Sequence, residues 1–520
     1  MNFFRALLIG GLFSSAVLAQ QPTWSEQIAC ISFSRCTPCH HPGGPAPFSM
    51  MTYADVFPAR FAIRNAVQSK FMPPWPPDPA YARHAFERAL TQDEIDEIVL
   101  WVNQGAPEGN PANLPTPPTY NNASQLAQVS WTGRMPVYTN TISGEDYRCF
   151  LIPVNNATPQ TITAVEVVPG NKSMVHHVLV YQDNSSTPAQ LDAADPLPGY
   201  SNFGGVGSAS AKLIGAWVPG SSPMVFPAGT GIPIPANGQI VIQVHYPAGS
   251  INKTDSTRIN LTFGGGGLRE IALDPALNHY TNLNETLAIP PGQVKSFYAE
   301  RTLPVAVTLL SVAPHMHLLG KSIKVYAVKP GNDTVPLIHI PKWDFAWQGA
   351  YEFKRAKTFP AGTKIRAEAV YDNTTSNPWN PSNPPQWVYA GEATTDEMMV
   401  VYFSYLVPSF AADTNMVIDP NDEQPTWLGC EFLAVPGLSE FSGVKVYPQP
   451  AHSEVHISGL PAGLSTEVQV YHMLGQKVWE GQLEADDAGV ATLRFSGVSS
   501  GKYVVWLAIT GQRIPVLLVE

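Results

Sequence analysis

The chain has 520 residues, 44% of them hydrophobic and 14% charged, with a formal net charge of −11. An acidic balance with no basic cluster excludes nucleic acid as a partner class, and the charged share is well below the roughly 25% usual of soluble domains. With 40 glycines and 50 prolines, many short strands are favoured over long helices, and the length allows about three or four domains.

In chain order, residues 1–19 read as a secretory signal peptide. Arg5 supplies the positive start, Ala6 to Val17 is mostly apolar, and Val17-Leu18-Ala19 fits a small-residue cleavage site. The apolar run is too short for a committed transmembrane helix. Residues 22–110 form a first, helical unit carrying Cys36-Thr37-Pro38-Cys39-His40. Two thiols three positions apart can add to the two vinyl groups of haem, and the next histidine can reach the iron. A redox dithiol or half a zinc site leaves the adjoining His40 unexplained, and tetrahedral zinc lacks a second cysteine pair. Covalent haem c is therefore expected on Cys36, Cys39 and His40. Met72, in Phe71-Met72-Pro73-Pro74-Trp75-Pro76, is the expected sixth ligand, held by a proline-stiffened loop. Met50 and Met51 are rivals that follow His40 closely. Thr91 and Glu94 form a capping box, Ile95, Ile98, Val99 and Val102 make one apolar face, and Gly105 stands past the last turn, so a helix closes the unit. A Pro/Asn-rich linker, Glu108 to Ser124, follows.

From 125 to 436 the texture is that of antiparallel sandwiches: β-branched and aromatic runs such as Val178–Tyr181, Ile240–Val244 and Met399–Phe403, separated by Gly, Pro and Asn. The stretch is too long for one sandwich, so two are expected, over 125–285 and 286–436. A last small β-sandwich is expected over 443–520, opening on Val444–Pro450. The fold class is thus mainly β with one small α-helical domain.

The histidines of the β region fall in pairs. On a strand, His315 and His317 share a face while Met316 points away, so both imidazoles can reach one ion. A thioether added to two imidazoles favours Cu(I). His176 and His177 are adjacent, and a regular strand would send them to opposite faces. Joint ligation needs a bulge or rings of different reach. His245 could complete a three-imidazole set. Of the five cysteines, Cys30, Cys149 and Cys430 remain outside the haem motif, and export permits one disulfide among them. Cys149 with Cys430 is the preferred pairing.

Three resemblances extend this reading. Cys-Thr-Pro-Cys-His-His-Pro-Gly-Gly with the Met-Pro-Pro-Trp loop resembles a small class of c-type cytochrome domains over about 28–107. Met174-Val175-His176-His177, Val241–Tyr246, His315–Gly320 and Thr395-Asp396-Glu397-Met398 resemble, in that order, the copper type II ascorbate-dependent monooxygenases, over about 130–410. That resemblance implies two jelly-roll sandwiches facing each other across a solvent-filled gap, each holding one copper. It implies His176, His177 and His245 around the electron-transfer copper. His315, His317 and Met398 would hold the copper that meets dioxygen and substrate, with Tyr402 beside it, and Met399 is the rival to Met398. Val446–Pro450, Leu474–Val478 and Gly501–Val505 resemble the type A sorting domain of the type IX secretion system, an Ig-like sandwich.

The departures narrow the expectation. Peptide-amidating members carry an arginine where this chain has Ala313 and an asparagine where it has Val400. Without the guanidinium there is no bidentate clamp for a carboxylate, so a more apolar small-molecule substrate is expected. The whole reads as a copper monooxygenase with two coppers and its own haem c, exported through the periplasm to the cell surface or the medium. Its partners would be O2, an external one-electron donor (ascorbate-like or a redox protein) and the secretion machinery. The alternative is a non-catalytic surface protein for electron transfer or copper binding.

Overall fold

The computed structural model describes residues 21–120, 124–419, 445–447, 451–460, 462–472, 477–495, 501–507 and 513–518. The expected signal segment, residues 1–19, and Cys430 lie outside them. The chain divides into two compact units, residues 1–427 and 428–520.

The first unit begins with a helical run from Trp24 to Cys36, loosened at both ends by hydrogen bonds that span five residues, as from Thr37 N–H to Ser32 O at 2.8 Å. Helices Tyr53–Gln68 and Gln92–Asn103 follow, each started by a complete capping box, Thr52 with Asp55 and Thr91 with Glu94. Gly105 takes φ +91°, a conformation that lets the chain leave the second helix without a side-chain clash. Ile95, Ile98 and Val102 bury the expected apolar face, joined by Trp101, and meet Trp24, Ile28, Ile31, Val56 and Ile63 in one small core.

Next comes a five-stranded antiparallel sheet, ordered Tyr200–Ser201, Asp146–Pro153, Gln239–Tyr246, His177–Gln182 and Lys212–Trp217. It packs against a second sheet running Trp131–Arg134, Arg258–Gly264, Gln160–Val168 and Thr230–Ile234. That sheet does not end there. Arg269–Asn278 pairs in parallel with Thr230–Ile234, and the sheet continues through Val400–Leu406, Val307–His315 and Tyr351–Phe359. The continuation is one face of a second sandwich, whose other face is Gln293–Thr302, Lys364–Asn373, Gly320–Val328 and Thr334–Ile340. Alternation explains the cores: Ile240, Ile242 and Val244 point into the first, and Ile323, Val325 and Ala327 into the second.

Arg269 fixes the linking strand to the far end of the second sandwich. Its guanidinium meets both oxygens of buried Asp413, at 2.6 and 3.1 Å. Burial works against that carboxylate, but Arg269, the Phe410 N–H and the Thr308 hydroxyl hold its pKa down at about 2. A lowered carboxyl pKa stabilises the fold above the ordinary carboxylate range, and the contribution is lost as pH falls through 2. Asp413→Asn is therefore expected to cost about 2 kcal/mol at pH 7. It should also shrink the stability difference between pH 5 and pH 2, read by urea unfolding at both.

The helical unit does not hang on its linker. Residues 78–88 lie along the second sandwich: Asp78 N–H reaches His339 O and Ala85 N–H reaches Glu352 O, both at 2.8 Å, and His84 Nε2 meets Leu337 O at 3.0 Å. The expected pairing of Cys149 with Cys430 is not made. Cys149 is a free thiol, fully buried with Tyr200, Val206 and Val241, and desolvation pushes its pKa up to about 12. Strand alternation sends Phe150 and Ile152 into the sandwich core and Cys149 to the opposite face, under Tyr200 and Val206. Cys30 is not a free thiol.

Residues 428–520 include a three-stranded sheet (Lys445–Tyr447, Glu454–Ser458, Val490–Arg494) and a four-stranded one (Lys477–Glu484, Ser465–His472, Gly501–Leu507, Arg513–Leu518). Val455, Ile457, Val468, Val470, Leu493 and Val505 are buried in their shared core. Among the described residues no helix is long and apolar enough to cross a membrane.

Two candidate metal centres and a candidate haem-attachment turn

His245 and His177 are direct cross-strand partners in the five-stranded sheet, so their side chains leave the same face. His176 precedes that strand. Its N–H bonds His245 O at 2.9 Å, and being outside the pleat frees its ring to turn toward the other two. This is how adjacent histidines join one site. The ligand atoms of the three imidazoles lie within 4.8 Å of one another. Imidazole–metal bonds of about 2 Å call for a spacing close to this. Both ring nitrogens of His245 are buried without a hydrogen bond, an arrangement that suits a metal ligand. Burial lowers the pKa of His176 to about 4 and that of His177 well below its ordinary value, so both are neutral, the ligating form. Tyr147 stacks on His245 at 4.1 Å and holds its plane.

The second set grows from the end of strand Val307–His315. Met316 is buried in the second core and His317 follows just beyond the strand, leaving the His315 and His317 rings 5.1 Å apart and nearly perpendicular. Each ring is oriented through Nδ1: His315 toward Gln348 Oε1, His317 toward Asp396 O at 3.1 Å. Both Nε2 atoms are left available, the outer-shell pattern that metal-binding histidines show. Burial lowers His315 to about 3 and His317 to about 4. Glu397, wholly buried, accepts N–H bonds from His317 at 2.9 Å, Leu319 at 2.6 Å and Met398 at 3.2 Å, so it joins the His317 turn to Met398. Tyr371 O–H donates to Met398 O at 2.8 Å, leaving a half-buried side chain on a backbone held at both ends. Met399 is committed to the core. Val400 is the cross-strand partner of His315 and Tyr402 that of Ala313, so these four residues share one sheet face. Burial pushes the Tyr402 phenol up to about 12, and it stays protonated.

The two sets lie near each other. Phe345 stacks on His176 at 5.4 Å and meets His317 edge-on at 5.8 Å. Glu145 stands 3.7 Å from His245 Nε2 and accepts the Thr394 hydroxyl from the loop leading to Met398. Side chains thus span the separation that the resemblance gives as solvent-filled. Phe345, Gln348 and Glu145 were missed in the sequence. Each lies in a loop or turn without periodicity, whereas Asp396 and Glu397 fell inside a quoted motif.

In the helical unit, His40 N–H bonds Cys36 O at 2.9 Å, and His40 Nδ1 meets Phe48 O at 3.0 Å, leaving Nε2 available. Cys36 and Cys39 are free thiols, and burial pushes Cys36 up to about 12, unlike a reactive redox dithiol. This donor set fits covalent haem attachment. Met50 is buried in the helical core, while Met72 is half-buried in the loop that carries Trp75 onto Tyr351. Tyr120 of the linker stacks on His41 at 4.1 Å and bonds Thr37 at 2.8 Å. The turn lies against the first sandwich. Lys172 Nζ donates to Gly43 O at 2.6 Å, Arg88 donates to Gly220 O at 2.7 Å, and a methyl group on Gly220 would meet Cys39 Sγ at 3.3 Å.

The chain is mainly β and brings two sets of imidazoles close together, the chemistry of candidate transition-metal sites. Residues 281–425 match the profile of the copper type II ascorbate-dependent monooxygenase C-terminal domain, and residues 445–515 match a secretion system C-terminal sorting domain. The chain carries both domains, and the second marks it for export. It is 23% identical over 283 residues to the human DBH-like monooxygenase protein 1, covering 49% of this chain and 43% of that protein. It is 20% identical over 251 residues to a tyramine beta-hydroxylase of Caenorhabditis briggsae, covering 46% and 41%. The chain spans less than half the length of these relatives.

Proposed function

We propose that this chain is an exported copper monooxygenase that hydroxylates an activated C–H bond of a small molecule. R–H, O2, two electrons and two protons would give R–OH and water. The observation that carries the reading is the pair of histidine sets, each with free ring nitrogens and one aromatic ring between them. Bound copper would supply dioxygen activation and one-electron steps. His176, His177 and His245 would hold the electron-transfer ion. His315, His317 and Met398 would hold the ion that meets O2 and substrate, with Gln348 and the Asp396 carbonyl fixing the rings. Ala313, Val400 and Tyr402 would line the substrate side, an apolar face with one phenol donor. Copper per chain after reconstitution, with a Met398→Ala variant alongside, tests this. Two ions, one weakened in the variant, support it, and one or none, unchanged by the variant, defeats it.

Haem c on Cys36, Cys39 and His40, with Met72 as sixth ligand, would pass single electrons from an external donor to the first copper. The support is proximity: Lys172, which touches the haem-attachment turn, lies four residues before His176. The double variant Lys172→Ala/Arg88→Ala is expected to slow reoxidation of reduced haem about tenfold, since two charge-assisted contacts are lost. Copper content and the haem spectrum should not change. Stopped-flow reoxidation at the parent rate would exclude this contact as the electron route.

A further inference from the structure

We propose that Phe345 fixes the spacing and mutual orientation of the two metal centres, a role that rests on the two-copper reading above. The segment between strands Thr334–Ile340 and Tyr351–Phe359 reaches the second histidine set at three points. Trp343 Nε1 donates to His317 O at 3.2 Å, Gln348 Oε1 meets His315 Nδ1, and Phe345 meets the His317 ring. It also braces itself: Gln348 Nε2 donates to Phe345 O at 2.8 Å, and Ala346 N–H and Trp347 N–H bond Asp344 at 2.9 and 3.0 Å. Phe345 then crosses to the other set and stacks on His176, with an interplanar angle of 22°.

Two features separate this from ordinary packing. Phe345 is half-buried and belongs to neither sandwich core. Its aromatic contacts are one imidazole from each set. Such contacts favour one mutual orientation of rings that would otherwise swing. The Glu145–Thr394 bond is a second tie across the same separation and does not involve Phe345. Removing the ring should therefore loosen the spacing without separating the sandwiches.

The test uses the full chain loaded with Cu(II), comparing Phe345→Leu, Phe345→Ala and Phe345→Tyr with the parent. Copper content and thermal unfolding are measured on the same samples as the inter-copper dipolar coupling by EPR. Parent and Phe345→Tyr should share one narrow coupling. Phe345→Leu and Phe345→Ala should lose it for a weaker, broader distribution at unchanged copper content. Unchanged coupling in Leu and Ala variants that hold two coppers overturns the role of Phe345. A parent that binds fewer than two coppers overturns the two-copper reading instead, and the role falls with it.

Discussion

His315→Ala is expected to lower O2-dependent product formation by roughly 10³-fold or more, because several kcal/mol of stabilisation at the reacting centre go with the ion. Copper content should fall from two ions to one. The informative comparison is His245→Ala, which should lose the other ion and a similar share of steady-state activity. The two differ in a single turnover. A prereduced His245→Ala protein keeps the His315/His317 set intact and should still consume O2 slowly when electrons are supplied from outside, whereas prereduced His315→Ala should not. If both variants behave alike in that assay, the division of labour between the sets is wrong. Loss of both ions in either variant would point to one shared site.

Glu397→Ala should have the largest effect on stability. Three buried N–H groups, of His317, Leu319 and Met398, lose their acceptor at once. Each buried unsatisfied group costs about 1–3 kcal/mol, so a loss of roughly 3 kcal/mol or more is expected by urea unfolding. Copper at the second set should weaken with it, because this carboxyl joins the His317 turn to Met398. Burial pushes the Glu397 carboxyl up to about 8 even against those donors, so a neutral acceptor is a fair replacement. Glu397→Gln should recover most of the stability. If Glu397→Ala unfolds like the parent, the carboxyl does not organise the loop.

The parts of this architecture visible in the sequence are those written in local patterns. The Thr91/Glu94 box and the Ile95–Val102 periodicity mark a helix that is present, and alternation around Val178 and Ile240 marks strands that pair in the five-stranded sheet. The histidines were visible because their residue type is scarce and their spacing fits a strand. The way His176 joins its neighbours was not, since it depends on where the strand starts. Phe345 and Gln348 were invisible for a related reason: a loop residue carries no period, and only the tertiary path brings it to a histidine. The expected Cys149 pairing was not legible either way, because an oxidising compartment permits a disulfide without saying which cysteines the tertiary path brings together, and Cys149 is a free thiol while Cys30 is not. Docking of the helical unit was equally hidden, being made by backbone groups of Asp78 and Ala85 and by the side chains of His84 and Arg88, which follow no period.

The pairing of Arg269–Asn278 with strands on both sides changes what counts as a module. The segment that matches the copper monooxygenase domain begins at residue 281, just after this strand. A fragment cut there would lack a neighbour for Val400–Leu406, and the complementary piece would expose the other edge of Arg269–Asn278. Each would carry a raw sheet edge, open to pairing with other copies. The halves are thus joined as planks sharing a single board, and any recombination that swaps one for a relative's must carry residues 269–278 with it.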